Sequence, residues 1–300
     1  MLEHKEVIIT GRAGLVGSRV YELLSGRYKF GIDLDLQTTG TDITDPNQVN
    51  QALESSRGDI VLHFAAFTDV GKAFEQKSDL NGLCYQVNVI GTQNVAQACA
   101  RFGKHLIHVS TDYVHDGNSY DYYTEESPRN PIEWYGKTKT QAEELVEETC
   151  HSYTIMRIAA PYRAEYRKRF DLVRRIQNGI AERTLPPQFS DNILTPTFVD
   201  DIAEAVDVII RERPQGILNV VGSSSLSAYE LGCKVARASG YDASLIQKGS
   251  LTQYLQESGR PYHRHLRISN KRAVEKFQIP MHDIDEGLDI VVSQQRSAKR

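Results

Sequence analysis

Apolar residues along the chain follow two alternating patterns. Runs of about four to eight mostly apolar residues predict buried strands, and longer stretches with apolar residues every three to four positions predict amphipathic helices. The predicted strands are Val7–Ile9, Lys29–Asp33, Asp59–Phe67, Lys104–Val109, Tyr153–Ile158 and Ile217–Val221, and helices begin near Leu15, Pro46, Leu83, Trp134, Phe198 and Ser227. This alternation predicts an α/β fold, a right-handed, doubly wound parallel sheet of the Rossmann type.

The alternation becomes looser after Ala160, so the sequence predicts two domains. Residues 1–160 form the predicted Rossmann domain, and a segment at about 196–221 is expected to rejoin its sheet. Residues 161–195 and 222–300 form a predicted smaller C-terminal α/β domain.

Composition excludes several functional classes. The chain has 300 residues, of which 40% are hydrophobic and 25% charged, and a net charge of −4 argues against nucleic acid as a partner. No apolar run approaches the roughly 18 residues of a membrane span, and no signal-peptide pattern is evident, so we expect no membrane association. Four widely spaced cysteines indicate neither a metal site nor a disulfide framework, and they favour a reducing, cytoplasmic compartment.

A glycine-rich turn joins the first strand to the first helix. Its spacing is G-x-x-G-x-x-G, and an isolated triplet of this kind can be a plain structural turn. The preceding Val-Ile-Ile strand and the following amphipathic helix favour dinucleotide binding, with pyrophosphate at the helix N-terminus. The residues expected to contact the cofactor here are Gly11, Arg12, Gly14, Leu15, Val16 and Gly17.

Asp33 ends the second predicted strand, where a carboxylate binds the adenosine ribose hydroxyls of a dinucleotide. Such a carboxylate favours NAD(H), because it repels the 2′-phosphate of NADP(H). Arg12 in the turn could attract that phosphate instead. The sequence therefore predicts NAD(H) or NADP(H), with a slight preference for NAD(H).

The third predicted strand ends in Ala65 and Ala66, whose small side chains allow a ligand to approach the backbone at the carboxyl edge of the sheet. His63 lies inside the same apolar run. We interpret it as a core histidine rather than a ligand or a catalyst.

Tyr135 and Lys139 are four residues apart at the start of a predicted helix, so their side chains share one face. A lysine ammonium near a phenol is expected to lower the tyrosine pKa, as a proton donor to a ketone requires. The same spacing is common among surface residues. Ser110 and Thr111 strengthen the catalytic interpretation, because their hydroxyls follow a neighbouring strand and could bind the same ketone oxygen.

These motifs together resemble the extended short-chain dehydrogenase/reductases, and within them the dTDP-4-dehydrorhamnose reductase family. The resemblance rests on the glycine turn, Ala65–Thr68, Ser110–Val114, Tyr135–Lys139, Thr195–Thr197 and Gly259–Pro261. It implies an NAD(P)-binding domain, a C-terminal nucleotide-sugar domain and reduction of a 4-keto group by hydride transfer. It also implies that Thr111, Tyr135 and Lys139 are catalytic, that Asp42 and Ile43 contact the adenine, and that Asn88 orders the active site.

Four further residues are candidate contacts for the nucleotide sugar: Thr68, Tyr113, Thr195 and Arg260. Arg260 is suited to a bidentate contact with a diphosphate, and the alternative is a surface charge beside a turn. Dimers are common among such enzymes, so a homodimer is possible.

Two other functions remain open on this scaffold. A nucleotide-sugar 4-epimerase needs only the same tyrosine and lysine with tightly held NAD. A non-catalytic regulatory subunit, like the methionine adenosyltransferase beta subunit, would fit the departures from the reductase pattern at Gly71, Phe74 and Ala160. A 4,6-dehydratase is not expected, because Tyr113 stands where that class has a glutamate.

Overall fold

The computed structural model describes residues 5–166 and 168–298. These residues form two compact units. The first unit contains the described residues of Met1–His115, Pro128–Arg157 and Ala203–Leu218, and the second those of Asp116–Ser127, Ile158–Ile202 and Asn219–Arg300.

A six-stranded sheet forms the centre of the first unit. Its strands are β1 (Glu6–Thr10), β2 (Lys29–Leu34), β3 (Ile60–His63), β4 (His105–Thr111), β5 (Tyr153–Ile158) and β9 (Gly216–Asn219). They lie in the order β2-β1-β3-β4-β5-β9. β1 pairs in parallel with β2 on one side and β3 on the other, and β3 pairs in parallel with β4. The predicted fold class is therefore confirmed, and the order reverses between β1 and β3, where doubly wound sheets bind ligands.

Helices connect these strands. They are α1 (Leu15–Leu24), α2 (Pro46–Ser55), α3 (Val70–Glu75), α4 (Leu83–Tyr85), α5 (Thr92–Arg101), α6 (Trp134–Thr149) and α8 (Val199–Glu212). Asp45 caps α2 by accepting hydrogen bonds from the N–H groups of Asn47 and Gln48, as its position before Pro46 predicts. Helices α2, α5 and α6 pack against the sheet around the apolar core, which includes Val95 and Leu106.

One predicted helix, 83–102, contains an irregular turn. Between α4 and α5 the residues Gln86–Gly91 form a π-helix. Such single π-helical turns are frequent at functional sites. Here it contains Asn88.

The second unit has its own apolar core, built around residues such as Val173, Leu231 and Leu288. Its helices are α7 (Leu172–Ala181), α9 (Ala228–Ala238), α10 (Leu251–Ser258) and α11 (Ile284–Ser297), and its short strands are β6 (Pro161–Tyr162), β7 (Gln188–Phe189), β8 (Thr197–Phe198) and β10 (Lys248–Gly249). Ser227 opens α9 with the predicted capping box, in which Glu230 binds back to the Ser227 N–H. The substrate-binding role expected for this part of the chain remains a prediction.

Candidate active site

The glycine turn after β1 is sterically closed to larger residues. Gly11 has a φ of +66°, and a Cβ atom there would lie 2.4 Å from the Ala65 backbone nitrogen. A Cβ at Gly17 would lie 2.5 Å from the Gly11 carbonyl oxygen, so α1 packs directly on the turn. Gly14 precedes α1 without a side-chain cap, and Leu15 and Val16 form the first residues of the helix. This cradle fits the pyrophosphate of a dinucleotide.

Arg12 and Asp33 form an ion pair beside the turn. The Arg12 Nε atom lies 3.3 Å from Asp33 Oδ2, and the guanidinium stacks 4.2 Å from the centre of the Tyr21 ring. The hydroxyl of Thr38 also donates to Asp33 Oδ2. Asp33 Oδ1 is buried without a hydrogen-bond partner in the described structure, so it could accept a ribose hydroxyl.

A second carboxylate, which the sequence analysis overlooked, supports the same turn. Asp35 Oδ2 accepts a 2.7 Å hydrogen bond from the Ala13 N–H, and Asp35 Oδ1 accepts from the N–H groups of Gln37 and Thr38. The sequence signal was the Asp-x-Asp pattern at the end of β2. Asp33 and Asp35 thus have different tasks, because Asp35 is already satisfied by backbone donors.

The two predicted adenine contacts lie before α2. Asp42 Oδ1 accepts hydrogen bonds from the N–H and the hydroxyl of Thr44, which closes the local turn. Ile43 is buried in the core, and its carbonyl oxygen accepts from the Asn94 side chain at 3.0 Å. Their proposed contact with adenine stays a prediction.

Asn88 connects the loop after β3 with the start of α6. Its Oδ1 atom accepts from the Phe67 N–H at 2.8 Å, and its Nδ2 group donates to the Phe67 carbonyl at 3.1 Å and to Thr138 Oγ1 at 3.0 Å. Thr138 in turn donates to the carbonyl oxygen of Tyr135 at 2.8 Å. The third strand ends at His63, earlier than predicted, and Asn88 holds the loop that follows it at Phe67.

Thr111, Tyr135 and Lys139 lie in the first unit, at the carboxyl end of β4 and in the first turns of α6. All three side chains are buried. The Lys139 Nζ atom donates to the Val109 carbonyl at 2.8 Å and lies 3.3 Å from His108 Nε2. Glu133 caps α6 by accepting from the Tyr135 and Gly136 N–H groups.

The protonation of this site differs from the expectation. Burial raises the pKa of Tyr135 above its ordinary value, and although Thr111 acts in the opposite direction, the nearby carboxyls reinforce the rise. The expected lowering of the Tyr135 pKa by Lys139 was therefore wrong for the protein without ligands, because Lys139 is directed to His108 and Val109. Burial lowers the pKa of Lys139 to about 8 and raises the pKa of Asp112 to about 7.

His63 is a core histidine, as predicted. Its Nδ1 atom lies 2.7 Å from Thr10 Oγ1 and its Nε2 atom 3.1 Å from Thr92 Oγ1. Burial lowers the pKa of His63 to about 3, so the ring is neutral.

The predicted substrate contacts occupy different environments. Thr68 is exposed just before Asp69, the cap of α3, and Tyr113 packs edge-on against Tyr135 with ring centres 5.8 Å apart. In the second unit, Arg260 follows Gly259, whose left-handed conformation ends α10. The contacts of Thr68, Tyr113 and Arg260 with a nucleotide sugar stay predictions.

Thr195 has a buried hydroxyl that is already used within the second unit. It donates to the Leu266 carbonyl at 2.8 Å, accepts from the Ile268 N–H at 3.2 Å and lies 3.0 Å from Ser225 Oγ. A direct ligand contact would have to replace one of these bonds. Ala160, which departs from the reductase pattern, has a φ of +37°, an unusual conformation for a residue with a Cβ atom.

A family model described as the RmlD substrate binding domain matches residues 5–296. The chain belongs to this family. Among its RmlD-type relatives, a dTDP-4-dehydrorhamnose reductase of Aggregatibacter actinomycetemcomitans is 30% identical, over 81% of this chain and 80% of the relative. The crystal structure of dTDP-4-dehydrorhamnose reductase from Bacillus anthracis in complex with NADP has a TM-score of 0.87 at 27% identity, covering 97% of this chain and 99% of that one.

Methionine adenosyltransferase 2 subunit beta of Bos taurus is also similar to this RmlD-family chain, at 25% identity over 82% of the chain and 75% of the relative. The family model and the reductase relatives confirm the resemblance to the extended short-chain dehydrogenase/reductases. None of the helices in the described part of the chain has both the length and the apolar character that a membrane span needs.

Proposed function

We propose that this chain is an NAD(P)H-dependent reductase of a 4-keto nucleotide sugar, with dTDP-4-dehydrorhamnose as the first substrate to test. One observation carries the proposal: a buried tyrosine and lysine lie on α6, and the tyrosine hydroxyl is hydrogen-bonded to Thr111, in the unit that carries the glycine cradle. The reductases among its relatives support it. The bound cofactor would supply a hydride to the substrate carbonyl.

The protein residues would supply the proton and the orientation. Tyr135 is protonated at physiological pH, as a tyrosine of ordinary pKa would be, and burial raises its pKa further. Its hydroxyl would donate this proton to the developing alkoxide, which is a stronger base than the tyrosine phenolate. The Thr111 hydroxyl donates to Asp112 Oδ1 at 3.0 Å. It would orient the ketone oxygen by turning this hydrogen from Asp112 to the substrate. Lys139 would bind the nicotinamide ribose and supply positive charge near the developing alkoxide, which stabilises it.

The residues of the first unit would hold the cofactor. We propose that the glycine turn binds the pyrophosphate and that Asp33 binds the adenosine ribose. Asp42 and Ile43 would contact the adenine. Ala65 and Ala66, with their small side chains, would let the nicotinamide approach the backbone. Asn88 would keep this arrangement in place through Phe67 and Thr138.

The Arg12–Asp33 pair suggests that the chain accepts both cofactors. Asp33→Asn removes the charge that repels a 2′-phosphate and leaves Arg12 available to it, so NADPH should bind about tenfold more tightly relative to NADH. Arg12→Gln should shift the ratio in the opposite direction. The measurement is the dissociation constant of each reduced cofactor, by fluorescence titration.

Asp121→Asn, at an exposed position in the second unit, is the matched control for the loss of a carboxylate. It should leave both dissociation constants unchanged. If the ratio of the NADPH and NADH dissociation constants is the same in Asp33→Asn as in the wild type, this carboxylate does not select the cofactor.

We propose that Arg260 is the main cation that binds the nucleotide diphosphate in the second unit. The substrate contacts expected of Thr68, Tyr113 and Thr195 stay predictions. Arg260→Ala should weaken nucleotide-sugar binding by about 1.5–3 kcal/mol, the strength of a hydrogen bond to a charged group. The affinity for NADPH should not change. Calorimetric titration of dTDP, UDP, GDP and CDP sugars in the presence of NADPH measures both quantities.

Arg264→Ala provides the control for Arg260, since the Arg264 guanidinium instead donates to Thr252 Oγ1 at 3.0 Å on the surface of the same unit. Equal losses in the two variants would indicate a general charge effect. Binding of none of the four nucleotide families would exclude this substrate class.

Two alternatives have distinct signatures. A 4-epimerase would retain NAD through purification and interconvert nucleotide sugars without net oxidation of added cofactor. A regulatory subunit, which the methionine adenosyltransferase relative supports, would copurify with a partner enzyme at fixed stoichiometry and oxidise no NADPH. Stoichiometric loss of NADPH absorbance with a 4-keto sugar would support the reductase.

We further propose that the protein is a cytoplasmic homodimer in a nucleotide-sugar pathway such as dTDP-rhamnose synthesis. All four cysteines are free thiols, in agreement with a reducing compartment. Light scattering of the purified protein tests the oligomeric state.

A further inference from the structure

A row of buried polar side chains crosses the sheet beneath the catalytic lysine. Thr10, His63 and His108 occupy paired positions on β1, β3 and β4. The rings of His63 and His108 lie 5.3 Å apart, and His108 Nε2 lies 3.3 Å from Lys139 Nζ. The row thus extends from the residue before Gly11 to the ammonium group of the proposed active site.

We propose that His108 is a positioning residue that fixes Lys139 by accepting one of its ammonium hydrogens. This inference rests on the proposed function, because it assigns His108 a task at the same site. An ammonium has three hydrogens to donate, and the described part of the chain supplies two acceptors, Val109 O and His108 Nε2. The third hydrogen is left for a ligand.

The pair fixes the tautomer of His108. If Nε2 accepts from a protonated Lys139, the single hydrogen of the neutral ring lies on Nδ1. His108 Nδ1 is buried without a hydrogen-bond partner in the described structure, so no other group competes to set the tautomer. A protonated His108 is disfavoured, because it would place a second positive charge against Lys139 in a buried site.

The surroundings add few other charges. The titratable groups that act on His108 are Lys139 and His63, and those that act on Lys139 are Glu143 and Cys84. His63 is neutral, and both its ring nitrogens are engaged by threonine hydroxyls. Burial favours proton loss from Lys139, and the acceptor at His108 opposes it.

Two substitutions of His108 distinguish the effect of losing the hydrogen-bond acceptor from the effect of losing the volume of the ring. His108→Leu removes the acceptor, so the pKa of Lys139 should fall by about one unit, a tenfold easier loss of the proton. His108→Gln places an amide oxygen near the position of Nε2 and should restore most of the wild-type value. The control is His105→Leu, on the opposite face of β4, where the ring is equally buried but bonds to Ser152 and Thr154 instead.

The direct measurement is the titration of Lys139 in the ligand-free protein by NMR of ¹³Cε-labelled lysine, with the signal assigned through Lys139→Met. His108→Leu should lower the midpoint, and His105→Leu should not. In wild-type protein, ¹⁵N spectra of His108 should show the hydrogen on Nδ1. An unchanged Lys139 midpoint in folded His108→Leu, or a hydrogen on Nε2, would overturn the proposal.

Kinetics provide the second readout and separate this inference from the function. In the reductase assay, the alkaline limb of the kcat/KM profile should move to lower pH by the same amount in His108→Leu and return in His108→Gln. If no keto sugar is reduced by wild-type protein, the proposed function fails while the NMR titration still decides the role of His108.

Discussion

Tyr135→Phe is expected to lower turnover by about 100- to 10,000-fold, the usual contribution of a general acid. The variant removes only the hydroxyl. The ring keeps its buried position against Tyr113, and Glu133 still caps the helix through the backbone. Dissociation constants for NADPH and the nucleotide sugar should therefore stay close to wild type, and the loss should appear in single-turnover rates of NADPH oxidation.

Tyr85→Phe is the matched control, because Tyr85 belongs to the same apolar cluster and stacks on Trp134 with ring centres 6.2 Å apart. Removing that hydroxyl should leave the single-turnover rate within about threefold of wild type. If Tyr135→Phe kept the wild-type rate, the proton would have to come from elsewhere, and Asp112, whose pKa burial raises to about 7, would be the next candidate to replace.

Local sequence signals predicted most of the first unit and one helix start in the second. The strand pattern, the Asp45 cap before Pro46 and the Ser227 capping box each involve residues within a few positions of one another. Such signals survive in a single sequence because they depend on backbone geometry alone. The glycine spacing is a local signal too, and Gly17 is required by a contact within the turn, with the Gly11 carbonyl oxygen. The contact that requires Gly11 itself is made with Ala65, in the loop after β3, and is not local.

Features that depend on distant residues could not be predicted. The π-helix at Asn88 matters through Phe67 and Thr138, which lie 21 and 50 positions away. The rise in the Tyr135 pKa follows from burial, and Lys139 is oriented toward His108 instead. The spacing of Tyr135 and Lys139 in the sequence contains neither fact. Spacing along a helix shows that two side chains share a face, but not what else each contacts.

A buried ion cluster under α6 gives the largest expected effect on stability. Glu143 is inaccessible to solvent and accepts two hydrogen bonds from Arg157, at 2.9 and 2.7 Å, and one from Arg129 at 2.6 Å. Glu143→Gln leaves the buried Arg157 charge without its counter-ion, which should cost about 3–5 kcal/mol. Urea unfolding of the ligand-free protein, followed by circular dichroism, measures the loss.

Glu147→Gln is the control, because Glu147 also binds Arg129 but is partly exposed, and its removal should cost less than about 1 kcal/mol.

Burial alone would raise the pKa of Glu143, but Arg157 and Arg129 outweigh it and lower that pKa below its ordinary value of 4.5. The contribution of the pair is therefore complete above about pH 4.5 and is lost as the pH falls through the lowered value. Wild-type stability should decrease over that acidic range more steeply than that of Glu143→Gln. Equal acid sensitivity in the two proteins, with a small loss at neutral pH, would show that the cluster contributes little. Replacing Glu143 and Arg157 together with leucine and methionine should recover much of the loss, because no unpaired charge then remains buried.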